Sequence, residues 1–374
     1  MIPYGRQTID DDDVAAVVAT LRGDWLTQGP RVAAFEDALA AACGAPYAVA
    51  FSSGTAALHA ACHAAGLGPG DELVTSALTF AASANCAAYV GATPRFADID
   101  PATWNVSAAT VVAASTPRTR AVIPVSFAGL PAPLAEIRAA IGPDVTLIED
   151  AAHALGARHA GGPVGDVTHA DMSVFSFHPV KALTTGEGGA ITLRDPALRD
   201  RLVAFRSHGM TKDPTRLERP GEGGWYMEQQ DLGFNYRLTD LQCALGITQL
   251  AKLERFVAAR NAVAARYREA LSDLDGLRLP PAAPPGERHA YHLFAVEVPH
   301  RRALYDALRE RGILAQVHYL PVYLHPYYRE RYGYAPGLCP EAEAYYARCL
   351  SLPCFPALTE AEQDSVVAAV RELL

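Results

Sequence analysis

The sequence has no basic excess: 32 Lys and Arg face 41 Asp and Glu, for a formal net charge of −9. A nucleic-acid footprint is therefore not expected, because it needs clustered cations. That balance still admits a small anion, since local N–H groups and a few side chains suffice to hold a phosphate. The chain opens MIPYGRQTIDDDD, without a charged segment leading into an apolar run. No window approaches the ~18 continuous apolar residues of a membrane helix. Internal repeats and low-complexity tracts are also missing. The expectation is a cytoplasmic globular protein with neither nucleic acid nor membrane as partner.

Cysteines are few and scattered: Cys43, Cys62, Cys86, Cys243, Cys339, Cys349 and Cys354. Cys349 and Cys354 are the closest pair, and no second pair stands at zinc-ligand spacing. His59, Cys62 and His63 share a helical face, but that helix is alanine-rich, so buried thiols are expected and no metal. What is present is 374 residues, half hydrophobic and a fifth charged, enough for two domains of an ordinary enzyme.

From residue 30 to 200, helical patterns alternate with short apolar runs. RVAAFEDALAAACG reads as a helix stopped by Gly44, AVAF as a buried strand and SGTAALHAACHAAG as a helix. DELVTS, PRFADID, RAVIPVSF, VTLIED, MSVFSF and AITL read as further strands. This alternation predicts an α/β fold with a mostly parallel sheet covered on both faces, and ligands at the carboxyl ends of its strands. After Arg237 a long helical run gives way to a proline-rich break, then to YHLFAVEV and ILAQVHY as strands of a smaller α+β unit. The division expected is 1–250 for a large domain, with segment 1–30 at the substrate site, and 251–374 for a small one. Residues 211–231 read as a polar loop.

Three segments carry candidate chemistry. Lys181 follows a strand end by five residues and precedes Gly186-Glu187-Gly188-Gly189; it is a surface loop lysine or a catalytic one. Asp150 ends the strand in IEDAAHALGA, where a buried carboxylate needs a cation or hydrogen-bond donors. A pyridinium nitrogen is one such partner, and a helix N-cap is the other reading. Ser52-Ser53-Gly54-Thr55 opens a helix, either as a plain cap or as a phosphate site on free N–H groups at the positive dipole end. Together the three describe one cofactor: phosphate on the Ser53–Thr55 turn, ring nitrogen on Asp150, aldehyde carbon on Lys181.

The ordered segments LTQGPRVAAFE, FSSGTAALH, TFAASANCAAYVGATPRFADID, EDAAHALGA, FSFHPVKALTTGEGG and GFNYRLTDLQCALGITQL resemble the DegT/DnrJ/EryC1/StrS sugar aminotransferases. The resemblance spans essentially the whole chain. It implies the aspartate-aminotransferase-like fold (fold type I), pyridoxal 5′-phosphate (PLP) as cofactor and a homodimer with shared active sites. It places Phe80 and Ala152 on the two ring faces and His153 at the phenolic oxygen. Ser176 joins Ser53, Gly54 and Thr55 at the phosphate, and Asn235 reaches the neighbouring subunit's phosphate. Outside that resemblance, Asn235-Tyr236-Arg237 reads as a turn capping the next helix.

RSHGM, RGILAQVHYLPVY and SLPCFPALTE are similar to the branch that makes pseudaminic acid. That likeness implies transfer of the L-glutamate amino group to C4 of a UDP-linked 4-keto-6-deoxy-N-acetylhexosamine. It assigns Tyr4, Asp24, Trp25, Leu26, Thr27, Gln316, Val317, His318 and Tyr319 to the sugar-nucleotide site. Another UDP- or dTDP-linked 3- or 4-keto sugar is the alternative, and a non-catalytic PLP-binding regulator a further one. The related sugar 3-dehydratases carry histidine where Lys181 stands, which speaks against that class.

Overall fold

A computed structural model describes residues 1–374. The alternating region forms a seven-stranded sheet of β1 (Tyr47–Phe51), β2 (Glu72–Ser76), β3 (Thr93–Ala97), β4 (Thr119–Ile123), β5 (Thr146–Asp150), β6 (Met172–Ser176) and β7 (Gly189–Leu193). Their spatial order is β1-β7-β6-β5-β4-β2-β3. The pairs β2–β3, β2–β4, β4–β5 and β5–β6 are parallel, whereas β7 runs antiparallel to β1 and β6. The carboxyl ends of β1, β5 and β6 therefore share one edge.

Both sheet faces are covered, which is why the strands read as continuous apolar runs. Val49, Phe51, Val174 and Ile191 enter one core with Ala57, Ala60 and Ala61. Their neighbours Ala48, Ala50, Phe175 and Ala190 enter the other, with Phe35, Leu39 and Leu238. Strand side chains alternate between faces, so one seven-stranded sheet feeds two cores.

Helix α1 (Asp11–Leu21) and helix α2 (Pro30–Cys43) precede β1, and Gly44, at φ 68°, ends α2 in the left-handed cap expected of it. Helix α3 (Gly54–Ala64) follows β1. The long helical run is two helices, α4 (Asp240–Ala251) and α5 (Leu253–Leu271), broken at Lys252, whose Nζ pairs with Asp10 and with Asp13 at 3.0 Å. Helix α5 bridges two cores: Val257 packs under the sheet, while Val263, Tyr267 and Leu271 pack in the C-terminal unit. That unit pairs β8 (Phe294–Glu297) antiparallel to β9 (Cys349–Leu352), with helices Arg301–Glu310, Pro340–Arg348 and Glu360–Leu373 around them.

Two segments differ from their sequence reading. ILAQVHY is not a continuous strand: Ile313–Leu314 pairs with Ile2–Pro3, Gln316 makes a single bridge to Ser351, and the chain then turns. Its neighbours pair over a few residues only, so the alternating pattern has no long ladder to join. The polar stretch 211–231 is closed by a short ribbon, Met210–Thr211 against Glu228–Gln229. Inside it the Glu228 carboxylate accepts the N–H groups of Glu218 and Arg219 at 2.9 and 3.0 Å.

All seven cysteines are buried and unpaired. His59 Nδ1 meets the Tyr236 hydroxyl at 3.2 Å and His63 Nε2 meets Asp231 at 2.8 Å. No helix is long and apolar enough to cross a membrane.

Candidate active site

The ends of β1, β5 and β6 open onto a cavity of about 390 Å³. Ser53 caps α3, its hydroxyl accepting the Ala56 N–H at 3.1 Å. The first-turn N–H groups of a helix have no internal partner, and here Gly54 and Thr55 line the cavity beside Ser176. Two glycines make this approach fit. A Cβ on Gly54 would lie 3.0 Å from Ser176 Cβ, and one on Gly189 would lie 2.5 Å from the Ser53 carbonyl. The result is a cradle of backbone and small side chains at the positive end of a helix, suited to a phosphate.

Asp150 ends β5, 5% exposed. One carboxylate oxygen accepts the Ser83 hydroxyl at 2.6 Å and the other the Ala152 N–H at 3.1 Å. A turn, not a helix, follows it, so its cap serves only a local bend. Burial raises its pKa, against the hydrogen bonds of Ser83 and Ala152 and the charge of Lys181. A buried acid in that state gains from a cationic partner across the cavity.

His153 Nδ1 accepts the Ala128 N–H at 3.3 Å, which leaves the ring proton on Nε2, 3.4 Å from the Tyr319 hydroxyl. Burial first, then the charges of Lys181 and His318, hold its pKa well below the ordinary histidine value. It is a neutral donor at pH 7.

The chain's lysines are Lys181, Lys212 and Lys252. Lys252 is ion-paired and Lys212 stands exposed on the polar loop; Lys181 is the one on the cavity wall. Burial, and after it the charge of Arg260, bring its amine down to about 8, while Asp150 works in the opposite direction. An amine so lowered is partly neutral at physiological pH and therefore nucleophilic.

The cavity thus gathers Ser53, Gly54, Thr55, Phe80, Asp150, Ala152, His153, Ser176 and Lys181, together with Tyr4, His318 and Tyr319. Phe80 stands at the rim, 60% exposed, its ring 6.1 Å from that of Tyr319. Asn235 lies outside the cavity, exposed, in a backbone bridge with Ser207. Asp24, Trp25, Leu26, Thr27, Gln316 and Val317 are also off its wall. Segment 24–31 is tied instead to α4: the Asp240 carboxylate accepts the N–H groups of Gly29 and Arg31, and the Leu26 carbonyl accepts the Asp240 N–H.

Reading the sequence missed Ser83 and His292. Ser83 sits in an alanine-rich helix where one hydroxyl carries no periodic signal. His292 stands in a segment whose pattern reads as a strand, yet it lines the cavity with its ring 4.3 Å from His153.

The sequence matches the model of the DegT/DnrJ/EryC1/StrS aminotransferase family over residues 7–371. The chain belongs to this family. It is 40% identical over 381 residues to the spore coat polysaccharide biosynthesis protein SpsC of Bacillus subtilis, covering 100% of this chain and 97% of that one. Helicobacter pylori PseC, an aminotransferase involved in the biosynthesis of pseudoaminic acid, superposes with a TM-score of 0.91 at 30% identity, over 100% and 98% of the two chains. A candidate sugar aminotransferase of Streptococcus pneumoniae, Spr1654, in its PLP form superposes with a TM-score of 0.91 at 26% identity, over 100% and 99%. As a DegT/DnrJ/EryC1/StrS member the chain is a PLP-dependent sugar aminotransferase with the fold type I architecture. The cavity suits that cofactor: it joins a cradle that added Cβ atoms would fill, a buried carboxylate and a single lysine.

Proposed function

We propose that the chain transfers the amino group of L-glutamate to C4 of a UDP-linked 4-keto-6-deoxy-N-acetylhexosamine, in the cytoplasm and as a homodimer. The observation that carries the site assignment is the convergence of Lys181, Asp150 and the Ser53–Thr55 turn on one cavity. When bound, PLP supplies an electron sink for the carbanion formed as the donor loses its α-proton. Asp150 would hold the proton on the ring nitrogen. With PLP in the cavity, Lys181 Nζ would hold it at the aldehyde carbon and would be the base placed to move the proton at the donor's α-carbon. His153 Nε2–H would meet the phenolic oxygen, and the N–H groups of Gly54 and Thr55 with Ser176 Oγ would hold the phosphate. Phe80 and Ala152 would cover the ring faces. Glutamate and keto sugar use the site in turn, so ping-pong kinetics are expected.

The substrate reading rests on likeness to PseC and on Tyr4, His318 and Tyr319 beside Lys181. Residues 1–250 build the cofactor site in this reading, and 251–374 close it. Asn235, exposed and outside its own cavity, serves the neighbouring subunit's phosphate, while Asp24 to Thr27, Gln316 and Val317 shape the sugar-nucleotide path of the assembled dimer. Exposed Trp25, Leu26 and Leu232, at 58, 47 and 72%, supply apolar surface for that dimer. Unpaired buried thiols suit a reducing compartment. The 40% identity to SpsC favours a second reading, amination of another keto sugar nucleotide destined for a polysaccharide.

Initial rates on the UDP-linked 4-keto-6-deoxy-N-acetylhexosamine of L-arabino configuration, the substrate of the first reading, and on its C5 epimer, with saturating glutamate, separate the two. The first reading expects a preference of about 10- to 200-fold, the worth of one apolar contact, and an NMR-identified 4-amino product. Equal rates, or preference for a dTDP-linked or 3-keto sugar, leave the second.

A further inference from the structure

Arg260, on α5, is 1% exposed and forms no ion pair; its hydrogen-bond partners are all backbone carbonyls. One terminal nitrogen donates to Cys354 at 2.6 Å and to Tyr291 and His292 at 3.3 Å each. The other donates to Val180 at 3.3 Å and Lys181 at 3.4 Å, while Nε has no partner. Burying a guanidinium without a carboxylate is unfavourable, and a packed apolar side chain serves stability as well or better. The arrangement therefore calls for a role other than stability. Its two halves join different parts of the molecule: the loop that carries Lys181, and the C-terminal segments at Tyr291–His292 and Cys354.

We propose that Arg260 is a positioning residue for Lys181, one arm fixing the Val180–Lys181 backbone against the C-terminal unit and its uncompensated charge standing behind the lysine amine. This rests on the reading of Lys181 as the lysine that carries the cofactor. A fixed like charge disfavours the ammonium form, adding to burial and opposing Asp150. Facing the amine from β5 and the segment after it are Asp150 and His153; from the C-terminal unit His292, His318 and Tyr319; from the amino terminus Tyr4. His178 and Glu187 flank it from its own connection. Burial holds His153, His292 and His318 neutral at pH 7 and both tyrosines protonated. Arg260 is thus the fixed cation that counters the Asp150 carboxylate.

The test strips PLP from the wild type, Arg260→Met and Arg260→Lys, then follows attachment of added PLP between pH 6 and 10. Absorbance gives the rate, borohydride reduction and mass mapping give the lysine, and thermal melting monitors folding. Wild-type attachment should rise through about pH 8. Arg260→Met should move that midpoint up, so that the rate at pH 6.5 falls several-fold. Arg260→Lys keeps the charge and hence the midpoint, but attaches several-fold more slowly, because one ammonium cannot span both sets of carbonyls. Lower melting temperatures with both midpoints unmoved overturn the proposal. If Arg260→Met does not fold, Arg260→Lys decides: an unmoved midpoint with slower attachment supports it, and wild-type rates overturn it. A wild-type label on another lysine removes the underlying reading and this inference with it; a label on Lys181 with an unmoved Arg260→Met midpoint removes this inference alone.

Discussion

At the scale of single residues the site works by separating charges that burial would otherwise extinguish. Lys181 and Asp150 face one cavity, yet burial drives the lysine towards neutrality and raises the acid. Only a neutral amine attacks an aldehyde, so pH controls how quickly the cofactor attaches. The neutral fraction grows as pH climbs through about 8 and levels off above it, whereas an ordinary lysine would still be rising at 10. Reconstitution of stripped protein should show that midpoint, and borohydride should leave the cofactor mass on Lys181. Lys181→Ala should lose both adduct and turnover, and label on Lys212 or Lys252 would refute the assignment. Asp150→Ala removes the carboxylate that supports the ring-nitrogen proton. Stopped-flow measurement of the glutamate half-reaction should find it slower by about two or more orders of magnitude, with weaker PLP binding. Near-normal rates would reduce Asp150 to a turn cap.

Among the elements, the site exists because three strand ends meet and because a glycine at the start of β7 lets that strand lie against the turn that follows β1. Gly189, first residue of β7, sits where a side chain would strike the Ser53 carbonyl at 2.5 Å. Gly189→Ala must therefore displace either the strand or the Ser53–Gly54 turn. The strain is about 1–3 kcal/mol, visible as a lower melting temperature, and PLP affinity should weaken about tenfold or more as the phosphate cradle opens. Gly224→Ala is the control, since nothing lies within 4 Å of its added Cβ. Equal behaviour of the two variants in PLP titrations would remove the cradle from the account.

At the scale of the whole molecule, one protomer leaves several expected residues away from the chemistry. Asn235 is exposed and off the cavity wall, and Trp25, Leu26, Leu232 and Phe234 are exposed as well. A shared dimeric site predicts complementation. Mixed Lys181→Ala and Asn235→Ala protomers should regenerate activity above that of either parent, reaching about a quarter of wild type when half the dimers are mixed and each holds one intact site. Mixing without gain, measured after subunit exchange is verified by mass, would confine Asn235 to its own chain.

The alternation of strands and helices and the end of α2 at Gly44 are legible in the sequence, because these follow local periodicity and backbone preference; that the long helical run is two helices is not. The sequence also marked Lys181, Asp150 and Ser53–Thr55, since each stands at a strand end where an α/β sheet presents its ligand sites. What surrounds them depends on packing between parts of the chain far apart in sequence. Ser83 and His292 lie 67 and 142 residues from Asp150 in sequence, and nothing local in an alanine-rich helix or a short strand distinguishes them. Arg260 reads as one more cation on an amphipathic helix until α5 packs and buries it against five carbonyls. ILAQVHY shows the converse: its alternation suits a strand, but a strand needs a partner of matching length, and none is there.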